Sequence, residues 1–212
     1  MERYFHEELE DLRNKLILLG EKSNDAARLA VNGLLENDLE KVAVAIKLDD
    51  PIDDLEREIA HACLRYTTLR SPVSTDVRLI IVALKASHDF ERAGDEAHRI
   101  AKKARDIITR EGRLNETLEL GRMSELAFNL IQDAITCFVE EDAEKAKTVI
   151  RNDKAIDQLN QKHFKTLSNE NMRGQMSDIT RFDLVLISKS IERIGDHAKN
   201  LAREVLFLLN GD

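Results

Sequence analysis

The sequence predicts an all-α protein of six helices, arranged as two tandem, repeat-related three-helix bundles. Three observations predict it. First, Ser87-His88-Asp89-Phe90-Glu91-Arg92-Ala93-Gly94-Asp95 recurs as Ser188-Lys189-Ser190-Ile191-Glu192-Arg193-Ile194-Gly195-Asp196, with five of nine positions identical at an offset of 101 residues. A self-match at so long a period marks the duplication of a structural unit. Second, apolar residues around both copies step by alternating threes and fours: Ala86, Phe90, Ala93, Ala97, Ile100, Ala104 and Ile107, then Ile187, Ile191, Ile194, Ala198, Leu201, Val205 and Leu208. That spacing is one stripe of an amphipathic helix. Third, 42% hydrophobic residues with two prolines, eight glycines and no tryptophan is the composition of helices with aliphatic cores. The repeat divides the chain into residues 1–112 and 113–212.

The elements follow in order. Phe5, Leu9, Leu12, Leu16 and Leu19 predict a first helix from Phe5 to about Leu35, which Gly20 interrupts without a stop signal. Asn37-Asp38 reads as a turn, with Asp38 as N-cap. The second helix carries the seam Ala45, Leu48, Ile52, Leu55, Ile59, Ala62, Tyr66, Leu69. Pro51 lies inside it and lacks the N–H that would bond the Lys47 carbonyl, so a kink or restart is expected there, capped by Asp49 or Asp50. The matching stretch of the second half has Ala155 and is expected to be continuous. Arg70 to Ser74 is a break, and a third helix runs from about Thr75 to Arg110. Gly112 to Glu116 links the halves; helix four covers about Thr117 to Val139, Glu141-Asp142 repeats the turn, helix five ends near Leu167, and Asn169 to Gln175 is a polar loop. Ser177 is placed to cap helix six, which ends near Leu209.

The formal charge of −8, from 40 acids against 32 bases, repels nucleic acid and anionic membrane and favours a cation or a basic partner surface. No apolar run reaches the roughly 18–20 residues of a membrane span. The start Met-Glu-Arg-Tyr-Phe-His-Glu-Glu lacks the regions of a signal peptide. A cytoplasmic protein is expected, meeting membranes only through partners. Cys63 and Cys137 lie in different halves with no second thiol nearby in sequence and are expected to be buried free thiols.

Carboxylates carry the chemistry. Both third helices hold an acid pair one turn apart, Glu91 with Asp95 and Glu192 with Asp196, and both second helices hold another, Asp49 with Asp53 and Asp153 with Asp157. Set against the apolar stripes, all eight fall off the seam, on the face expected to turn away from the core. Like charges one turn apart repel by about 0.2–0.5 kcal/mol, a penalty that a bound cation would reverse. Acid pairs such as Glu7 with Asp11 are ordinary solvated surface. These four pairs differ in recurring at matching places in both halves, and four oxygen donors on two adjacent helices suit a hard cation or small cluster. Gly94 and Gly195 beside the acids cost roughly 1 kcal/mol each against alanine in a helix. They leave room either for close helix approach or for an ion. Arg92 and Arg193 are expected to pair with carboxylates across helices. His98 follows Asp95 by three residues, a metal-sharing spacing, but Lys199 replaces it in the second half; His163 falls on an apolar seam and is expected in the core.

The doubled Glu-Arg-x-Gly-Asp, the Asp-x-x-x-Asp of Asp49-Asp53 and Asp153-Asp157, and the twice-three-helix plan resemble the PhoU family over essentially the whole chain, from Phe5 to Leu209. The resemblance implies metal binding at Asp49, Asp53, Glu91, Asp95, Asp153, Asp157, Glu192 and Asp196. The ions would be iron or zinc, as single ions or clusters, or magnesium or manganese. It also implies a negative regulator of phosphate uptake under phosphate sufficiency, an adaptor between the phosphate-specific ABC transporter and the phosphate-sensing histidine kinase, forming a homodimer or higher oligomer. Pro51 departs from the pattern inside the first motif.

Other classes compete. A carboxylate-bridged di-metal enzyme of the ferritin-like kind needs inward Glu and two Glu-x-x-His motifs, and only Asp95-x-x-His98 comes near. A phosphotransfer domain would use an exposed His98 near Lys102. A helical adaptor whose acids hold no metal is the third alternative. No nucleophile–base pair, glycine-rich phosphate loop or nucleotide motif is present, so no catalysis is expected.

Overall fold

The computed structural model describes residues 2–70, 72–114, 119–169 and 176–210, without the side chains of residues 2–6. Its regular elements are helices: α1 (Glu2–Glu36), α2 (Leu39–Lys47), α3 (Asp49–Leu69), α4 (Ser74–Glu111), α5 (Leu120–Glu140), α6 (Ala143–Leu167) and α7 (Asp178–Asn210). α2 and α3 are the expected second helix, divided at Leu48. The restart predicted at Pro51 is therefore present, but its cap is not an aspartate. Leu48, itself in helical conformation, closes α2 and opens α3 with no side-chain cap. Pro51 then sits in the first turn of α3, where a missing N–H costs nothing. α6 runs unbroken through Ala155.

The turns repeat as the sequence does. Asn37 and Glu141 both take left-handed φ, at 60° and 54°, and each is followed by an aspartate N-cap. Asp38 accepts from the amides of Glu40 and Lys41 at 2.9 and 3.1 Å, and Asp142 from those of Glu144 and Lys145 at 2.9 and 3.0 Å. Ser177 Oγ accepts from the Thr180 amide at 3.2 Å and caps α7 as expected. Thr117, most of the polar loop before Ser177, and the end of the link at residues 115–116 lie outside the described residues.

Within each half the three helices pack on one another, and the halves meet through α4 on α7 and α1 on α5. Lys85 pairs with Glu204, Asp89 with His197, Glu96 with Ser190 and Lys103 with Asp183. Numbers rise along α4 as they fall along α7, so the two helices are antiparallel. Shifting Asp89–His197 by the repeat offset gives Ser190–Glu96, which is also a contact. The halves are thus related by an approximate two-fold axis through the α4/α7 interface. Asn24 Nδ2 donates to the Phe128 carbonyl at 3.3 Å across α1/α5, joining two positions that are equivalent in the repeat.

Both third-helix seams are buried, from Ala86 to Ile107 and from Ile187 to Val205. Gly20 does not break α1, because its missing Cβ is what admits a neighbour: a Cβ there would lie 2.5 Å from Phe90 Cζ and 2.9 Å from Ile135 Cδ1. Cys63 and Cys137 are buried and free, and burial pushes their thiols up to about 11 and about 12, as expected of inert core residues.

The C-terminus of α4 is tied to the start of α7 by Glu111, which accepts from Thr180 Oγ1 at 2.8 Å and the Ser177 amide at 3.4 Å. These donors hold its carboxyl below the usual value of 4.5. A depressed folded-state value means that its stabilisation is present above pH 4.5 and lost as pH falls through the folded value. Thermal melts of wild type and Glu111→Gln should therefore differ most at neutral pH and converge in acid. A constant difference across pH would refute the role.

Candidate functional site

In the first half, α3 brings Asp49 and Asp53, and α4 brings Glu91 and Asp95, to one patch between the two helices. Burial holds Asp49 above the ordinary carboxylate value; His98 and Lys102 oppose the shift, while Asp53 and Asp95 add to it. Glu91 is raised by burial first and then by Asp95, with Asp53 contributing across the helix pair and Arg92 and His88 opposing. Asp49 and Glu91 thus each feel an acid on the other helix. In the second half, burial raises Asp157, and Asp153 and Asp196 reinforce the shift.

The acids do not point away from the core as the seam predicts. Asp153 is 2% exposed and the side chain of Glu91 20%. A stripe read as one seam assumes one neighbour. α4 packs against α1, α2, α3 and α7, and α7 against α4, α5 and α6. Positions that a two-helix seam would leave in water are therefore partly covered. The patches lie along the junction of the second and third helices, half-buried.

Gly94 and Gly195 make that junction close. A Cβ at Gly94 would lie 2.9 Å from Ile52 Cγ2, and one at Gly195 would lie 2.8 Å from Ile156 Cδ1 and 3.3 Å from Asp153 Oδ1. Ile52 and Ile156 are equivalent in the repeat, so close helix approach accounts for both glycines.

Among the described residues no group of three or more His, Cys, Asp or Glu is arranged to hold a metal ion as it stands. The first-half patch nevertheless has the donor chemistry for one. Glu91 Oε2 and His98 Nδ1 are buried without a hydrogen-bond partner. Arg92 Nε and His88 Nδ1 approach Glu91 Oε2 only to 3.5 and 3.7 Å, and His98 Nδ1 lies 3.1 Å from Asp49 Oδ2 but off hydrogen-bond geometry. Asp95 takes Arg92 at 3.3 Å on its own helix, so the cross-helix pairing expected of Arg92 is not made; Arg193 does pair across helices, with Glu96 at 3.0 Å. The second-half patch is different. Lys199 Nζ lies 2.5 Å from Asp153 Oδ2 and 2.6 Å from Asp196 Oδ1, and Lys189 pairs with Glu192. Burial opposes the Lys199 charge, but the bonds from Asp153 and Asp196 outweigh it and hold the ammonium above its ordinary value.

His163 is in the core, 4% exposed, with Nδ1 3.2 Å from Ser188 Oγ. His98 is largely covered and faces Asp49, an unsuitable setting for a phosphotransfer histidine. Sequence reasoning missed buried Glu96, which accepts from Ser190 at 2.6 Å and Arg193 at 3.0 Å across α4/α7. Its signal was faint, since the equivalent position in the second half is His197 rather than an acid.

These features define a class: an all-helical tandem repeat with an acidic patch at the junction of the second and third helices of each half. The PhoU domain family matches residues 16–116 and again 120–205, and the chain belongs to the PhoU family. It is 33% identical over 211 residues to the phosphate-specific transport system accessory protein PhoU homolog of Pseudomonas aeruginosa, covering 98% of this chain and 86% of that one. It is 32% identical to homolog 1 of Thermotoga maritima, covering 95% and 85%. The crystal structure of PhoU from Pseudomonas aeruginosa superposes with a TM-score of 0.93 at 32% identity, covering 98% of this chain and 100% of that one. The phosphate transport system regulatory protein PhoU from Streptococcus pneumoniae superposes at 0.88 and 26%, covering 98% of both chains. These names belong to accessory and regulatory proteins rather than enzymes, as the sequence leads one to expect.

The close approach at Gly94 is testable by a double-mutant cycle. Gly94→Ala gains about 1 kcal/mol of helix propensity and loses about 1–3 kcal/mol to overpacking, so denaturant unfolding should show a net loss. Combining it with Ile52→Ala should cost less than the sum of the two single changes. Additive losses would place the glycine's role elsewhere.

Proposed function

We propose that this protein is a metal-dependent accessory regulator of phosphate-specific transport, an adaptor between the transporter and the phosphate-sensing histidine kinase that restrains uptake when phosphate is plentiful. Family membership supports the transport role, and the names of its relatives place them in phosphate-specific transport systems. The observation that carries the metal reading is the convergence of Asp49, Asp53, Glu91 and Asp95 beside two buried donor atoms that lack hydrogen-bond partners. Oxygen donors with an adjacent imidazole suit iron, zinc or manganese, and carboxylates alone suit magnesium. A bound cation would relieve the mutual repulsion of the patch and offer a coordination position to acidic or phosphorylated partner groups. No helix among the described residues is long and apolar enough to cross a membrane, so contact with the transporter would run through its exposed surfaces.

One observation favours a metal-free adaptor as the second reading: the absence, among the described residues, of a ready-made ligand group. Elemental mass spectrometry of purified wild type against a variant with Glu91→Gln, Asp95→Asn, Glu192→Gln and Asp196→Asn separates the two. Bound metal should be lost in the variant with helicity retained. Equal metal content in both would place the metal away from these acids, and none in either after incubation with iron, zinc, manganese or magnesium would favour the metal-free reading. For the regulatory role, deleting the gene should raise a phosphate-starvation reporter in phosphate-rich medium, and wild type should restore repression. An unchanged reporter would count against it.

A further inference from the structure

The two patches are built on one plan; Arg99, 3.9 Å from Asp95, gives way to Asn200 in the second half, but two other differences share one chemistry. His88 and His98 of the first half stand where the second half has Lys189 and Lys199. In the first half the imidazoles stay loosely placed: His88 Nδ1 lies 3.7 Å from Glu91 and His98 Nδ1 lies 3.1 Å from Asp49. In the second half the ammonium groups are engaged. Lys189 holds Glu192, and Lys199 bridges Asp153 at 2.5 Å and Asp196 at 2.6 Å, reaching from α7 to α6 across the junction. The contact from His98 to Asp49 and that from Lys199 to Asp153 join equivalent positions, so the lysine stands in the place of the histidine.

We infer that the second-half patch does not take a metal ion, because Lys189 and Lys199 are its resident cations, and that a metal is confined to the first half. This rests on the metal reading above and deepens it. An imidazole can ligate a metal through a ring nitrogen, whereas an ammonium has three donors and no lone pair to offer. Lys199 also takes one oxygen each of Asp153 and Asp196, on the two helices that an ion would have to join. Asp153 has one oxygen on Lys199, while the other, Oδ1, is buried without a partner. The Asp153 side chain is 3% exposed, against 30% for Asp49. A metal entering this patch would have to displace a bridging ammonium and would then sit beside its charge.

The test is a MnCl2 titration with bound manganese counted by electron paramagnetic resonance. Wild type, Glu91→Gln/Asp95→Asn, Lys189→His/Lys199→His, and the four changes together would be compared. Histidine is what the first half already carries at these positions, so the replacement leaves a residue type that the fold accommodates, and circular dichroism checks helicity. Glu91→Gln/Asp95→Asn should remove the specific sites of wild type. Lys189→His/Lys199→His should add a site, with affinity raised about tenfold or more by loss of the like charge. That added site should persist in the four-change protein and disappear with Asp153→Asn. Its melting temperature should rise with MnCl2.

Specific binding that survives Glu91→Gln/Asp95→Asn in wild-type background would overturn the inference and leave the metal reading standing. So would a failure of the lysine replacements to add a site while the first half binds. Binding only after the lysines are replaced would support the exclusion of metal from the second half but overturn its confinement to the first, and with it the metal reading. No specific manganese in any protein would overturn both.

Discussion

The antiparallel packing of α4 against α7 is the constraint on which the rest of the molecule depends. Both helices are surrounded, and a surrounded helix can approach its neighbours only if its contact positions are small. α4 meets this with Ala83, Ala86, Ala93, Gly94, Ala97, Ala101 and Ala104, all buried. At the equivalent positions of its own stripe α7 buries Ile187 and Ile194 where α4 has Ala86 and Ala93. The glycines extend the same logic to the second helix of each half, where Ile52 and Ile156 occupy the volume of an absent Cβ.

Close packing also fixes the electrostatics. Because the second and third helices of each half approach closely, acids on both are drawn into one half-buried strip. There desolvation and mutual repulsion act together, and Asp49, Glu91 and Asp157 are all displaced upward. At the α4/α7 interface, by contrast, buried acids are fully partnered. Asp183 accepts from Lys103 at 2.8 Å and Arg110 at 2.7 Å, and Glu96 from Ser190, Arg99 and Arg193. Removing one partner of such a pair leaves a charge without compensation. The distinction between a satisfied acid and a frustrated one separates scaffold from candidate site.

Much of this was legible in the chain. The alternating spacing of Ala86 to Ile107 located α4 and its buried face, the Asp38 and Asp142 caps lay where turn chemistry placed them, and the 101-residue repeat gave the plan of the two halves. The acid pairs were legible as a recurring set. Their exposure was not, because periodicity describes a helix against one neighbour and cannot count the others. The pairing of Glu96 with Ser190 across α4/α7 needed the two-fold relation, which depends on how the halves dock and leaves no local trace in sequence. The cap at Leu48 was hidden for a different reason: a helix that merely kinks keeps most of its backbone bonds and has little need of an aspartate oxygen.

The substitution of Lys199 for His98 was visible in the sequence as well, but its meaning depends on which side of the helix the residue meets. Three residues after an acid, a lysine usually forms a modest surface pair worth 0–1 kcal/mol. Here it also reaches Asp153, which is nearly inaccessible to water, and that second contact changes its character. A carboxylate so buried is tolerated only with a compensating charge. In the first half the equivalent Asp49 side chain is 30% exposed and keeps the solvent access that Asp153 lacks. Duplication therefore left one acidic patch bridged between its helices by Lys199 and one with His98 at the equivalent position. Two copies of one motif are in this sense not two copies of one environment, and side chains on the third helix, Lys189 and Lys199 among them, distinguish them rather than the acids themselves.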